Sequence, residues 1–150
     1  MEGTKLALYE LCLAFVAQRI TTAKTALQQA REASNDDTKS SAGDKYETSR
    51  EMAQQDIDRN KRLLMDAEEN QHMLTLIKDL PANEIARNGS LVYTDNGNFY
   101  LSISAGLLNL KGETFFAVSA VSPIGKMFLG KKAGENFDFN GKKYQLKEVI

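Results

Sequence analysis

The sequence predicts an α+β protein: an antiparallel helical hairpin of coiled-coil pattern over residues 1–80, then a small mixed β domain over 81–150. Three observations predict it. Residues 1–79 hold no proline and only two glycines, Gly3 and Gly43, among many Ala, Gln, Glu, Lys, Arg and Leu, the better helix formers. A heptad-like stripe runs through that half. Residues 88–150 hold the other eight glycines and six of the seven phenylalanines, in short apolar runs, which is strand and turn grammar.

The first stripe is Leu6, Tyr9, Leu13, Val16, Ile20, Ala23, Leu27, Ala30 and Ser34. Its steps of three and four keep these residues on one side of a helix. The second stripe is Tyr46, Ser49, Ala53, Asp56, Asn60, Leu63, Ala67, Asn70, Leu74 and Ile77. It carries polar residues in its seam. A short polar segment between the two predicts a hairpin, with a tip near 35–47. About 30 residues in the first arm, at about 1.5 Å each, give a rod of roughly 45 Å. Pro81 disfavours helix at Leu80 and sets the end of the second arm.

In the second half, Leu91–Thr94 and Phe99–Ser104 flank Asp95-Asn96-Gly97-Asn98 and predict a β-hairpin. Thr114–Ala120 predicts a third strand. Ser122 and Pro123 suit the N-cap and first position of a short helix over 124–129, closed by Gly130. Two last strands, 136–139 and 144–149, are joined by Asn140-Gly141.

Composition excludes several functions. The net charge of −1 over 150 residues gives no strong field toward nucleic acid or membrane. The split is mild: residues 1–87 carry 12 basic and 15 acidic residues, −3, and residues 88–150 carry 7 and 5, +2. Cys12 is the only cysteine, so no internal disulfide forms, and a reducing, cytoplasmic compartment is expected. The apolar run Leu6–Val16 is interrupted by Glu10 and lacks a basic n-region and cleavage site, so it reads as a helix face and not as a leader or membrane span.

No independent active site is legible. His72 is the only histidine and has no ligand partner in the pattern. Cys12 has no basic neighbour to activate it. There is no P-loop, dinucleotide fingerprint or nucleophile elbow. Lys126, Lys131, Lys132, Lys142 and Lys143 read as solvated lysines, without the aromatic interleaving of an RNA-binding sheet.

The chemistry-bearing feature is the acidic tip. Between Glu32 and Glu51 lie six acids (Glu32, Asp36, Asp37, Asp44, Glu47 and Glu51) against Lys39, Lys45 and Arg50. Acids at a helix start are ordinary, so a solvated turn is one reading. The other is a cation site. Asp44 and Glu47 are three apart in a first turn and can point the same way. Two carboxylates are too few to hold Mg²⁺ alone and would complete a site supplied by a partner.

Gly43, Asp44 and Glu47 at the tip, followed by Ser122-Pro123-Ile124-Gly125 with Gly130, Lys131, Lys132 and Gly134, and then by the ending 141–150, together resemble the bacterial Gre transcript-cleavage factors. The resemblance spans nearly the whole chain in order and proportion. It implies an FKBP-like C-terminal domain, without implying prolyl isomerase activity. It implies RNA polymerase as partner, bound at the secondary channel, with nucleic acid met only through the polymerase complex. It implies no membrane, a monomer, and no enzyme activity of the chain's own. Asp44 and Glu47 would share Mg²⁺ with the polymerase active centre and stimulate cleavage of backtracked RNA. Ser122, Pro123 and Ile124 match the polymerase-docking edge. The tip departs from the family pattern: Lys45 and Tyr46 stand where Leu and Ser are usual, and Arg50 replaces an acid. A non-cleaving channel modulator, or an interaction module unrelated to transcription, stays open on the same residues.

Overall fold

The computed structural model describes residues 3–37 and 43–150, with side chains described for 3–35 and 47–150. It is α+β. Two helices packed against each other precede a six-stranded mixed sheet. The elements are α1 (Gly3–Asp37), α2 (Gly43–Ile77), β1 (Leu91–Thr94), β2 (Gly97–Ser102), β3 (Gly106–Leu110), β4 (Glu113–Ser119), α3 (Pro123–Phe128), β5 (Asn136–Phe139) and β6 (Lys142–Val149).

By contact density the chain divides into two compact units, Val16–Asn70 and a second formed by Met1–Phe15 with Gln71–Ile150. In the Val16–Asn70 unit, Leu27 and Ala30 of α1 bury themselves against Ile57 of α2, with Leu64 adjoining. The stripe expected in α2 holds at Ala53, Asn60 and Ala67, which are buried, and shifts by one residue at the positions between them. Ile57 is buried beside the half-buried Asp56, and Leu64 packs while Leu63 is exposed. At 56 and 57 the branched apolar side chain gains more from the seam than its polar neighbour, and one residue is only 100° of helix; Leu63 and Leu64 are the same side chain and differ only in position.

The other unit is built on the sheet. Its strand order is β3-β4-β2-β1-β6-β5. β2 and β4 run parallel and every other pair is antiparallel. β3, which the pattern did not predict, is an edge strand paired to β4 through Leu107↔Phe116 and Leu108↔Phe115. Two tight turns need left-handed backbone. Lys111 and Gly112 have φ of 51° and 81°, and Asn140 and Gly141 have 50° and 78°. Consecutive positive φ values are the signature of hairpin turns whose twist matches the strands.

Alternation of side chains gives the sheet two faces. On one, Val92, Phe99 and Leu101 form a core with Phe128 of α3 and with Phe137, Tyr144 and Leu146. Aromatic packing fills it: the Phe99 and Phe128 ring centroids are 4.8 Å apart, and Phe128 meets Phe137 edge-on at 4.9 Å. The opposite face carries Leu91, Tyr100, Ser102 and Phe115, and against it lies the start of α1. Lys5 Nζ donates to the Ile150 carbonyl, and Cys12 Sγ lies 3.7 Å from Ser102 Oγ. Tyr9 OH donates to the Leu74 carbonyl of α2 at 3.0 Å.

That packing changes which side of α1 is buried. Leu8 and Cys12 are fully covered, whereas Leu6 and Leu13 of the expected stripe are 42% and 40% exposed. A helix with two partners needs two stripes, and the heptad reading described one. By length and composition alone, Gly3–Asn35 is apolar enough to cross a membrane, yet Leu8, Tyr9, Cys12 and Val16 within it are buried in the protein.

Candidate functional site

Two places carry the residues singled out from the sequence. The first is the start of α2. Gly43 is its first residue and α1 ends at Asp37, so the chain segment between them, 38–42, and the side chain of Asp44 lie outside the described residues. The backbone places Asp44 and Glu47 in the first turn of one helix, three residues apart, the spacing at which side chains are neighbours. The Glu47 side chain is exposed, as are Arg50 and Glu51 after it. On α1, Glu32 accepts a hydrogen bond from Gln28 Nε2 at 3.0 Å. Among the described residues no three His, Cys, Asp or Glu side chains converge.

The second place is α3. Ser122 is its N-cap: Oγ accepts from the Gly125 N–H at 3.1 Å and donates to the Ser119 carbonyl at 2.6 Å. One hydroxyl thereby ties the end of β4 to the first turn of the helix. Pro123 occupies the first helical position, where no N–H is needed, and is exposed. Ile124 is half-buried and packs against the aromatic core. Gly125 is required by space: a Cβ there would stand 1.9 Å from the Ser119 carbonyl oxygen. Lys131 closes the far end, with Nζ donating to the Met127 carbonyl and lying 5.4 Å from the centre of the Phe137 ring.

Much of the Ser122–Gly134 motif is thus explained by folding. Ser122, Gly125 and Lys131 form and cap α3, and Ile124 seats it. The exposed apolar residues here are Pro123 with its flanks Val121, which is 75% exposed, and Leu129, which is 42% exposed, beside the exposed Lys126 and Lys132. Sequence reasoning missed a second apolar surface. Leu107 and Phe116 face each other across β3 and β4, and both are exposed, Leu107 by 62%. Their signal was faint because β3 itself was not legible.

Between the helices of the Val16–Asn70 unit, Ala23 and Ala67 are too small to fill the seam. They leave a groove of about 260 Å³ edged by Arg19, Thr22, Asn60 and Asp66. A second hollow, of about 310 Å³, lies among Glu84, Lys132, Lys147 and Glu148.

Among the described residues, the titrating groups that are clearly shifted are Tyr9, Cys12 and Tyr100, each raised chiefly by burial. Burial pushes the Cys12 thiol up, with the Ser102 hydroxyl partly opposing it. Burial raises Tyr100 further, with Cys12 and Tyr9 adding to it. Tyr9 is raised by burial and by Asp79. A thiol that resists ionising is a packing group and not a nucleophile. His72 is exposed on α2.

No protein-family model matches this chain, and no curated protein matches it.

Proposed function

We propose that this protein is a Gre-like transcription elongation factor. In this reading the helical pair is a coiled coil that enters the secondary channel of RNA polymerase. The sheet unit is an FKBP-like domain that docks at the channel rim through Pro123 and its neighbours. The observation that carries the reading is the joining, in one chain, of two 35-residue packed helices with an Asp44–Glu47 pair in the first turn of the second, ahead of a sheet unit whose Ser-Pro-Ile-Gly turn forms α3.

The chemistry is consistent with a donated site. Glu47 is exposed, and two carboxylates leave most positions of an octahedral Mg²⁺ to other ligands. A Mg²⁺ shared with the polymerase would supply electrostatic stabilisation of phosphodiester hydrolysis. This chain's part is to bring negative charge to the place where the second cation must sit. The factor is not an enzyme by itself, acts in the cytoplasm as a monomer, and meets DNA and RNA only within the polymerase complex.

The test is a stalled, backtracked polymerase complex with labelled RNA. Added protein shortens the transcript from its 3′ end, and Asp44→Ala/Glu47→Ala abolishes this while polymerase binding persists. Absence of both binding and cleavage overturns the reading in favour of an interaction module unrelated to transcription. A second reading is favoured by the sequence, in which Lys45, Tyr46 and Arg50 add two cations and a bulky ring to the run that holds the acidic pair. It is a channel-binding modulator that does not cleave. Binding without cleavage selects it, and Lys45→Leu/Tyr46→Ser then gains cleavage.

A further inference from the structure

We propose that the buried junction between α1 and β2 is a binding site for one ordered water molecule, held by the hydroxyls of Tyr100 and Ser102 with Cys12 and Tyr9 as its other polar neighbours. Tyr100 is fully buried, and its phenolic oxygen has no hydrogen-bond partner among the described residues. Buried hydroxyls in folded proteins are nearly always partnered, and where protein groups do not reach, ordered water does so.

The surroundings supply what such a water needs, which is two to four polar groups. Ser102 is two residues after Tyr100 on β2, so both side chains leave the same face of the strand. Cys12 Sγ lies 3.7 Å from Ser102 Oγ, which brings α1 over that face. Tyr9 is three residues before Cys12 and shares its side of the helix. The Tyr9 hydroxyl spends its proton on the Leu74 carbonyl, and its oxygen keeps a lone pair to accept. Tyr100 is held neutral by its burial, so it remains an O–H donor. The water accepts from Tyr100 and donates to Ser102 Oγ and the Tyr9 oxygen.

The consequence is a joint. The direct polar link from Cys12 to the sheet is a weak thiol–hydroxyl contact, and the stronger attachment of α1 to β2 runs through an exchangeable molecule. This inference is independent of the transcription reading.

The experiment is a high-resolution crystal structure of the wild-type chain together with thermal unfolding of Tyr100→Phe. Expected is a solvent peak about 2.6–3.2 Å from both the Tyr100 and Ser102 hydroxyl oxygens. Also expected is a fall in Tm of about 2–4 °C in Tyr100→Phe, because a water bridge is lost. A wild-type structure without that peak overturns the proposal, whatever the variant does. An unchanged or raised Tm in Tyr100→Phe also overturns it, since removing a truly unpartnered hydroxyl costs nothing.

Discussion

The carbonyl oxygen of Ser119 occupies the space into which a side chain at position 125 would grow, 1.9 Å from where its Cβ would lie. Gly125→Ala therefore has to push the first turn of α3 away from the end of β4, and with it Phe128 from the core. Overpacking of this kind costs about 1–3 kcal/mol. Urea unfolding of Gly125→Ala should show the loss as a lower midpoint with an unchanged slope. An unaltered midpoint would mean that β4 and α3 yield freely.

Ser122 and Pro123 are adjacent yet should behave differently. Ser122→Ala removes the hydroxyl that joins the Ser119 carbonyl to the Gly125 N–H, at about 0.5–2 kcal/mol. Pro123→Ala acts on an exposed side chain and should change stability by about 0.5 kcal/mol or less. Under the proposed function, Pro123→Ala still weakens binding to RNA polymerase. Paired thermal melts and pull-downs separate the two roles, and a polymerase-binding loss that tracks stability in both variants would refute the division.

Phe128 is fully buried between Phe99 and Phe137. Phe128→Ala should cost about 3–5 kcal/mol, the range for deleting a core aromatic. Calorimetry is the check, and a loss below about 1 kcal/mol would mean that the aromatic layer collapses onto the gap.

Asp44→Ala/Glu47→Ala should leave the melting curve within about 0.5 kcal/mol of wild type. Transcript cleavage in the backtracked complex should fall by about tenfold or more, each tenfold being about 1.4 kcal/mol of barrier. Equal cleavage by variant and wild type would remove the acidic pair from the mechanism.

Alkali should loosen the fold in a particular order. Burial holds the Cys12 thiol protonated above its ordinary value of 9.0, and Tyr100 likewise above 10.0. Above about pH 9 the unfolded chain has lost the thiol proton that the native chain keeps, so the unfolded state binds fewer protons. Stability is then complete below that pH and declines as pH rises toward the raised native value, by up to about 1.4 kcal/mol per pH unit for each group. Denaturation midpoints between pH 8 and 10 should fall in wild type and fall less steeply in Cys12→Ala. Parallel curves would exclude Cys12 as the first group involved.

Local chemistry was legible wherever neighbours in sequence decide the structure. Ser122 and Pro123 predicted the start of α3, and Asn140-Gly141 predicted a turn that the structure makes with two positive φ values. β3 was not legible, because Gly106–Leu110 is an edge strand whose three leucines could equally have been helix or loop. For the site, the order of motifs pointed to Asp44, Glu47 and the Ser122–Ile124 turn. Nothing in it separated Pro123, which faces outward, from Ile124, which packs into the core.

The sequence by itself determined two long helices, a change to strands after Pro81, and the caps and turns that depend on single residues. These follow from propensity and from hydrogen bonds over a few residues. Only the tertiary structure decided that β4 inserts beside β2 in parallel, and that α1 buries Leu8 and Cys12 while leaving Leu6 and Leu13 exposed. The physical reason is the same for both. A parallel strand pair and a second buried helix face depend on a partner far away in the chain, and periodicity records that a face is apolar without recording what covers it.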